Sequence, residues 1–233
     1  MTTARTTLHF TAHDQNGERL LEVAIQDLIV AGWTGRDPAS VEAHIVELEK
    51  LGVARPSTTP LFYRGSASLL TQAREIEVVG GNSSGEVEPV IIYAGDVLWL
   101  GLGSDHTDRD METRSVALSK QLCAKPISKT LWNLDDISGH WDQLIVRSWA
   151  SRDGKRRLYQ EGALRNMRHP ADLMELYARG DGKLSQGTAM FCGTVPVTGE
   201  IAPADFFEME IEDPVLKRKI IHNYRPIELP IVG

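Results

Sequence analysis

The sequence has few cysteines, no excess of basic residues and no long apolar run. Its two cysteines, Cys123 and Cys192, lie far apart and show neither CxxC nor Cys/His ligand spacing, which argues against a disulfide framework or a zinc site. We expect both to be reduced thiols in or near the core. No segment approaches the roughly 20 apolar residues of a membrane span, and the first residues contain no apolar stretch of signal-peptide length. We therefore expect a cytoplasmic protein with no membrane partner.

The charge balance argues against nucleic acid as a partner. The chain carries 25 Lys and Arg against 32 Asp and Glu, a net charge of −7 at pH 7, whereas phosphate binding needs clustered basic residues. The densest basic runs, residues 152–157 and 217–219, are typical of turns or a rim. The 42% hydrophobic content of the 233 residues is enough for a sizeable core, so we expect one domain over residues 1–233.

The periodicity of the chain predicts a β-rich α+β fold with a few helices. Residues 7–32 alternate around a turn at Asn16 and Gly17, which predicts a hairpin followed by a strand or short helix. Segments IEVV, VEPVIIYA and VLWLGLGS are rich in β-branched residues and predict strands. Helical spacing predicts helices over residues 40–52, with Ser40 as N-cap, and over residues 112–123 and 169–180.

Two glutamates open the strand VEPVIIYA, and an acidic cluster follows the next strand. Glu86 and Glu88 project to one face because residues i and i+2 of a strand do so. If the two strands form a hairpin, Asp105 can face the pair, and three carboxylates there suit a hard cation such as Mg²⁺ or Mn²⁺. An exposed edge-strand pair in water is the alternative. His106 is expected to be a surface residue or a hydrogen-bond donor to a ligand.

The acidic segment after the second strand also has a structural interpretation. Asp108 and Asp110 are expected to cap the helix that follows, and Arg109 could pair with one of them.

A histidine and a glutamate lie one helical turn apart in the first predicted helix. His44 and Glu47 therefore share one face. A carboxylate that accepts from one imidazole nitrogen leaves the other nitrogen free to take a proton from water, which is general-base chemistry near neutral pH. A solvated surface pair is the alternative.

Taken in order, these segments resemble the motifs of the fumarylacetoacetate hydrolase superfamily over most of the chain. That family has Gly-Arg/Leu-Asn-Tyr-x-x-His-x-x-Glu, Phe-x-Lys-Pro, Glu-x-Glu, Asn-Asp-x-Ser-x-Arg-Asp, Gly-Lys, Gln with a downstream Met, and Thr-Gly-Thr-Pro. The corresponding segments here are GWTGRDPASVEAHIVE, LFYRGSASL, EVE, SDHTDRD, SK, YQEGALRNM and CGTVP. The sequence departs from the family at Arg64, which replaces a lysine, at His106, at the missing Asn-Tyr, and at Ser128-Lys129 in place of Gly-Pro.

The resemblance implies a mixed β-roll with peripheral helices, divided into an N-terminal segment of residues 1–56 and a catalytic core of residues 57–233. It further implies a homodimer that uses Mg²⁺, Mn²⁺ or Ca²⁺ to cleave a carbon–carbon bond in a 2-oxo acid or 1,3-dicarbonyl substrate. It implies that Glu86, Glu88 and Asp105 bind the metal, that His44, Glu47 and Lys120 act in catalysis, and that Arg64, Gln160 and Thr194 bind the substrate.

Two alternatives to hydrolysis remain open from the sequence. The family's scaffold also supports decarboxylation, hydration and keto–enol isomerisation, which do not always need a water-activating dyad. The changed Asn-Tyr and Gly-Pro positions also allow a noncatalytic protein that binds a small molecule or a metal.

Overall fold

The computed structural model of the chain describes residues 6–50, 52–178 and 183–232. Strands provide most of the regular structure. In chain order they are β1 (Thr6–Asp14), β2 (Gly17–Ile25), β3 (Asp27–Gly32), β4 (Leu61–Gly65), β5 (Leu70–Thr71), β6 (Glu75–Val79), β7 (Ser83–Ser84), β8 (Val87–Ala94), β9 (Val97–Ser104), β10 (Thr107–Asp108), β11 (Lys125–Pro126), β12 (Thr130–Asn133), β13 (Ile145–Arg152), β14 (Lys155–Ala163), β15 (Thr188–Phe191), β16 (Phe206–Asp213) and β17 (Arg218–Leu229).

The helices are short and lie between the strands. They are α1 (Pro38–Lys50), α2 (Arg109–Glu112), α3 (Val116–Leu122), α4 (Asp135–Ser138) and α5 (Pro170–Ala178), with single 3₁₀ turns at Ala67–Leu69, Trp141–Gln143 and Leu164–Asn166. No helix within the described ranges is long and apolar enough to span a membrane.

Two large sheets build the fold, beside two two-stranded sheets formed by β7 with β10 and by β5 with β11. The larger has the strand order β2-β1-β12-β9-β8-β15-β3-β4, and the smaller has the order β14-β13-β16-β17-β6. β3 pairs with β4 from Leu28↔Gly65 to Gly32↔Leu61, so the predicted N-terminal segment and the predicted catalytic core share one sheet. This β-rich α+β architecture confirms the predicted fold class.

The central strands of the larger sheet are buried on both faces. In β8, Val87 and Ile91 point into a core shared with the smaller sheet, while Val90 and Ile92 point into a second core with side chains of β1, β2 and β12. A strand that is buried on both sides reads as a continuous apolar run, which explains the sequence VIIYA. The central hairpin of β8 and β9 is therefore anchored on both sides.

Local sequence signals account for most of the element boundaries. The first hairpin forms as predicted, but its turn lies one residue earlier, at Gln15 and Asn16, since Asp14 pairs with Gly17. The segment at 27–32 is a strand rather than a short helix. Helix α1 starts two residues earlier than predicted, because Asp37 caps it by accepting from the backbone N–H groups of Ala39 and Ser40 and Pro38 suits the first helical position.

Two other predicted helices differ in extent. The predicted helix over 112–123 is interrupted, because a new N-cap at Ser115 accepts from the backbone of Leu118 and starts α3 separately from α2. Helix α5 spans Pro170–Ala178, and the predicted end at Gly180 lies outside the described residues. Cys123 and Cys192 are buried free thiols, as expected.

Candidate metal centre

The β8–β9 hairpin brings the three predicted carboxylates together at its open end. The hairpin closes at Gly95 and Asp96, whose φ angles of 61° and 59° suit a two-residue turn. At the opposite end, Glu86 and Glu88 flank the start of β8, and Asp105 follows the last residue of β9. One carboxylate oxygen from each lies within 4.8 Å of the others. The convergence predicted from the sequence is therefore present.

The cluster is buried rather than an exposed edge-strand pair. The side chains of Glu86 and Asp105 are 15% and 0% exposed, and Glu88 is 2% exposed. A buried carboxylate needs a cation, a proton or several hydrogen-bond donors to offset its lost hydration. The cations that contact these groups therefore determine their charge.

Two lysines bracket Asp105. Lys120 of α3 donates to one carboxylate oxygen of Asp105, and Lys125 Nζ lies 2.8 Å from the other oxygen. Burial alone would raise the pKa of Asp105, but Lys120 and Lys125 outweigh it and lower the pKa to about 2. Lys125 also donates to the backbone carbonyl of His106 at 2.6 Å. Asp105 is therefore ionised at neutral pH.

Glu86 shares one lysine with Asp105 and has an arginine of its own. Lys120 Nζ lies 3.4 Å from Glu86 Oε2, and Arg109 Nη2 donates to Glu86 Oε1 at 2.8 Å. Burial opposes ionisation, yet Lys120 and Arg109 hold the pKa of Glu86 below its usual value. Arg109 pairs with Glu86 and Glu112 rather than with Asp108 or Asp110, because its side chain turns towards the open end of the hairpin.

Glu88 is the carboxylate with the least compensation. Its Oε2 accepts from the backbone N–H of Gly193 at 2.8 Å. Burial, followed by the charge of Asp105, raises the pKa of Glu88 well above its ordinary value, and Glu86 adds to the effect. Gly193 has a φ of +93°, and a Cβ there would lie 1.8 Å from Thr34 Oγ1, so only glycine can bring its N–H to this place.

A hydroxyl and imidazole network joins the two segments that carry the carboxylates. His106 Nδ1 lies 2.9 Å from Tyr224 Oη, and its Nε2 lies 2.9 Å from Ser83 Oγ. Tyr224 Oη also lies 2.8 Å from Ser104 Oγ, which accepts from the backbone N–H of Glu86. His106 is 1% exposed, so it is a buried link between segments rather than a surface residue.

The predicted substrate residues Gln160 and Thr194 hold the first residue of β8 in place. Gln160 Oε1 accepts from the Val87 backbone N–H at 3.0 Å and from Ser148 Oγ, while its Nε2 donates to Thr194 Oγ1 and to the Val195 carbonyl. Thr194 Oγ1 donates to the Val87 carbonyl at 2.7 Å. Both side chains therefore position the backbone between Glu86 and Glu88.

Arg64 and Lys120 have different surroundings. The guanidinium of Arg64 is 49% exposed and pairs with Asp27, whereas the ammonium of Lys120 lies inside the carboxylate cluster. Burial disfavours the charge of Lys120, but Asp105 and Glu86 raise its pKa well above the ordinary value. Lys120 is therefore a cation in the cluster, and Arg64 is engaged at the surface.

The predicted dyad lies on the exposed face of α1. His44 Nδ1 is 3.6 Å from Glu47 Oε2, and the two side chains are 58% and 74% exposed. The His44 ring lies 6.0 Å from the ring of Trp33, whose indole N–H donates to Tyr63 Oη. The two residues are brought together as predicted, but in contact with solvent.

The donor set fits a hard divalent cation. Three carboxylates supply oxygen ligands of the kind that Mg²⁺ and Mn²⁺ prefer. Glu88 has no cationic side chain within ion-pair distance in the described part of the chain, and its pKa is raised by burial and by the neighbouring Asp105. A divalent cation among the three oxygens would relieve that repulsion.

Comparisons with known proteins agree with the predicted fold. Residues 31–224 match the family described as "Protein of unknown function (DUF2848)". Comparison with curated proteins finds no match. A solved structure described as a fumarylacetoacetate hydrolase family protein from Yersinia pestis CO92 is 17% identical with a TM-score of 0.64, and the match covers 94% of this chain and 100% of that chain.

Two further solved structures are similar at low identity. One is described as a fumarylpyruvate hydrolase from Burkholderia cenocepacia, with 18% identity, a TM-score of 0.58, and coverage of 100% of this chain and 98% of that chain. The other is 2-keto-3-deoxy-D-arabinonate dehydratase complexed with magnesium and 2,5-dioxopentanoate, with 16% identity, a TM-score of 0.63, and coverage of 94% and 79%. The chain therefore has the fold of fumarylacetoacetate hydrolase proteins and belongs to the family described as DUF2848.

Proposed function

We propose that this protein is a divalent-metal-dependent hydrolase that cleaves a carbon–carbon bond in a 2-oxo acid or 1,3-dicarbonyl substrate of the acylpyruvate type. The proposal rests on one observation: Glu86, Glu88 and Asp105 each place a carboxylate oxygen within 4.8 Å of the others at a buried position. The fold likeness to a fumarylpyruvate hydrolase and to a dehydratase complexed with magnesium supports it.

The three carboxylates would hold Mg²⁺, Mn²⁺ or Ca²⁺. When bound, the cation supplies positive charge that stabilises the negative charge developing on the oxygens of the substrate. Asp105 and Glu86 stay ionised at neutral pH because Lys120, Lys125 and Arg109 surround them. These basic residues therefore keep both carboxylates in the deprotonated form that a cation needs as ligand.

The dyad on α1 would activate water. Glu47, whose Oε2 lies 3.6 Å from His44 Nδ1, would orient the imidazole, which would leave Nε2 to accept a proton from a water molecule. The water oxygen adds to the carbonyl carbon distal to the 2-oxo acid group, the adjacent carbon–carbon bond breaks, and the departing carbon takes a proton. The products are a carboxylic acid and a smaller 2-oxo acid.

The remaining predicted residues would position the substrate. Lys120, which contacts both Glu86 and Asp105, is proposed to hold a developing oxyanion. Arg64 would bind a carboxylate in bidentate fashion after leaving Asp27. Gln160 and Thr194, whose hydrogen bonds hold the Val87 backbone, would contribute to substrate binding by positioning the backbone between Glu86 and Glu88.

A lyase or isomerase acting on the same class of substrate is the second candidate. The exposure of His44 and Glu47, 58% and 74%, favours it because a buried metal cluster could act without them, and a dehydratase shares the fold. Replacement of His44 by Ala separates the two. A hydrolase should lose about two to four orders of magnitude in turnover, whereas a lyase that relies on the carboxylate cluster should keep most of it.

The activity itself can be tested with a panel of acylpyruvates and other 2-oxo acids in the presence of Mg²⁺ or Mn²⁺, with products followed by NMR. The proposal predicts metal-dependent formation of an acid and a smaller oxo acid. Binding of these compounds without any turnover would instead establish a noncatalytic binding protein.

We also propose that the protein is a cytoplasmic homodimer. An apolar stripe on the outer face of the smaller sheet supports the dimer, since Val79 of β6 pairs with Leu229 of β17, and Ile221 and Ile227 share that face of β17 at 62% and 42% exposure. Light scattering should give twice the chain mass of 25.8 kDa, and a monomer would contradict the proposal.

A further inference from the structure

A cleft of about 480 Å³ lies between the 3₁₀ turn Trp141–Gln143 and the start of α5. We call it the Trp141 cleft. Its lining includes Arg36, Trp141, Asp142, Arg168, His169 and Asp172. None of these residues belongs to the carboxylate cluster or to the dyad. The cleft is large enough for a small metabolite.

Two buried N–H donors in the lining have no acceptor among the described residues. They are Trp141 Nε1 and Arg168 Nε, and Trp141 is only 2% exposed. A buried donor without an acceptor is unfavourable, so a group at this place nearly always finds a partner. Both donors belong to residues that line one cleft, and each nitrogen is closed off from solvent. A group bound in the cleft would therefore accept from both once the two side chains turn towards it.

The charges of the cleft favour an acceptor that is negative. Arg36 is neutralised by Asp142, to which it donates two hydrogen bonds of 2.8 and 2.6 Å. Arg168, by contrast, has no carboxylate within 4.0 Å in the part of the chain that the structure describes. The remaining acidic residue of the lining is Asp172, an exposed residue in the first turn of α5. The unpaired guanidinium of Arg168 is therefore the strongest charge open to a ligand, and its planar fork suits an oxyanion.

We propose that the Trp141 cleft binds the carboxylate or phosphate group of a small molecule, which accepts hydrogen bonds from the Arg168 guanidinium and the Trp141 indole N–H. This site is separate from the proposed metal centre. His169, whose ring meets that of Trp141 at 5.5 Å in a T-shaped contact, forms one wall.

The position of the cleft links its occupancy to helix α1. Three hydrogen bonds join the segment before α1 to the cleft. Two are between backbone groups, Arg36 N–H to Asn166 O at 2.9 Å and Arg168 N–H to Thr34 O at 2.8 Å, and in the third the Arg36 side-chain Nε–H donates to Met167 O at 2.9 Å. A ligand that holds Arg168 would stabilise this junction. Slower hydrogen exchange at the start of α1 is therefore the expected consequence of binding.

The test uses the full chain treated with EDTA, and the probes are inorganic phosphate and succinate. Binding is followed through the tryptophan indole N–H signals in ¹⁵N–¹H NMR spectra, with the Trp141 signal assigned from Trp141→Phe. The proposal predicts that the Trp141 signal shifts with at least one probe. Response to phosphate alone identifies a phosphate site, and response to succinate alone identifies a carboxylate site.

Variants decide whether Arg168 is the cation that binds. Arg168→Met should weaken the affinity about tenfold to a hundredfold, the range for losing a charge-assisted hydrogen bond, and Arg168→Lys should keep part of it. Arg165→Met is the matched control, because Arg165 is exposed and lies outside the cleft lining. The affinity of this variant for the probe should equal that of the wild type.

Two results would overturn the proposal. One is an unchanged Trp141 signal with both probes up to about 10 mM, where millimolar affinity would be visible. The other is equal affinity in the Arg168→Met and Arg165→Met variants. If the amide spectrum shows that Arg168→Met is misfolded, Trp141→Phe, which removes the indole N–H together with the five-membered ring, should weaken binding measured by calorimetry. Wild-type affinity in that variant would refute the assignment.

Discussion

Replacement of Tyr224 by Phe removes one buried hydroxyl and leaves the ring in place. The hydroxyl lies 2.8 Å from Ser104 Oγ and 2.9 Å from His106 Nδ1. Burial, followed by the charges of Lys125 and Arg109, lowers the pKa of His106 to about 3, so the imidazole is neutral at pH 7. The variant therefore leaves a neutral imidazole nitrogen and a serine hydroxyl without this partner.

The magnitude follows from the number of groups left unsatisfied. Each buried polar group without a partner costs about 1–2 kcal/mol, so Tyr224→Phe should lower the free energy of unfolding by about 2–4 kcal/mol. For a chain of this length, a loss of 1 kcal/mol lowers Tm by about 2–4 °C. The expected decrease in Tm is therefore on the order of 4–16 °C, measured by circular dichroism in the presence of EDTA.

Tyr159 provides a matched control in the same aromatic cluster. Both tyrosines are 0% exposed and both contact Phe207, with ring centroids 6.0 and 5.5 Å away. Tyr159 Oη, however, has no hydrogen-bond partner among the described residues. Tyr159→Phe should therefore change the free energy of unfolding by no more than about 0.5 kcal/mol. Equal losses in the two variants would show that the hydrogen bonds of the Tyr224 hydroxyl do not stabilise the fold.

The same two variants also test whether the network positions the metal ligands. Ser104, which contacts the Tyr224 hydroxyl, accepts from the backbone N–H of Glu86. Tyr224→Phe should therefore weaken Mn²⁺ binding to the folded protein, measured by calorimetry well below Tm, whereas Tyr159→Phe should not.

Two further predictions concern other parts of the chain. Gly193→Ala should destabilise the protein by at least about 2 kcal/mol, because φ is +93° and the new Cβ would lie 1.8 Å from Thr34 Oγ1. The control Gly154→Ala should destabilise it less, because Gly154 has a φ of +73° but open space around its Cβ. Equal losses in the two variants would contradict this prediction. Burial, then nearby basic residues, lowers the pKa of His222 to about 4. The folded state thus favours the neutral imidazole, so up to about 3 kcal/mol of stability that is present above pH 6.5 should be lost as the pH falls to 4. His222→Leu should flatten the melting profile between these pH values, and an unchanged slope would rule out this residue as the cause.

Patterns within 20 residues of each other were enough to predict the centre of the candidate site. The glutamates of EVE share a strand face, and the next strand returns antiparallel, so Glu86, Glu88 and Asp105 meet through one hairpin register. The resemblance to family motifs added the identity of Lys120, which the structure places against Asp105. The residues at the centre of the candidate site were therefore predicted mainly from local periodicity and the order of the motifs.

Contacts between distant segments could not be predicted in this way. Tyr224 reaches Ser104 across 120 positions of the chain, and Gly193 reaches Glu88 across 105. Such contacts depend on how the two sheets pack, which hydrophobic periodicity does not specify. No sequence pattern pointed to Lys125, whose burial follows from its ion pair with Asp105 rather than from an apolar pattern.

The prediction of helix boundaries from the sequence was limited because more than one residue could serve as the N-cap. Ser40 and Asp37 are both good N-caps, and the structure uses Asp37, whose carboxylate accepts from the Ser40 N–H and Oγ–H. The interruption between α2 and α3 arises in the same way, since Ser115 caps a new helix inside a segment with continuous helical spacing. Which side chain caps the helix depends on the three-dimensional surroundings of the helix end, not on the local sequence alone.

The most direct test of the account is metal binding by two matched double variants. Glu86→Gln with Glu88→Gln alters the carboxylate cluster, and Glu75→Gln with Glu77→Gln alters a pair with the same i, i+2 spacing on an exposed face of β6. At a concentration 100 times Kd, Mn²⁺ should stabilise the wild type and the Glu75/Glu77 variant by about 2.7 kcal/mol. The Glu86/Glu88 variant should show neither stabilisation nor heat of binding. Stabilisation of all three proteins, or of none, would contradict a metal centre at this cluster.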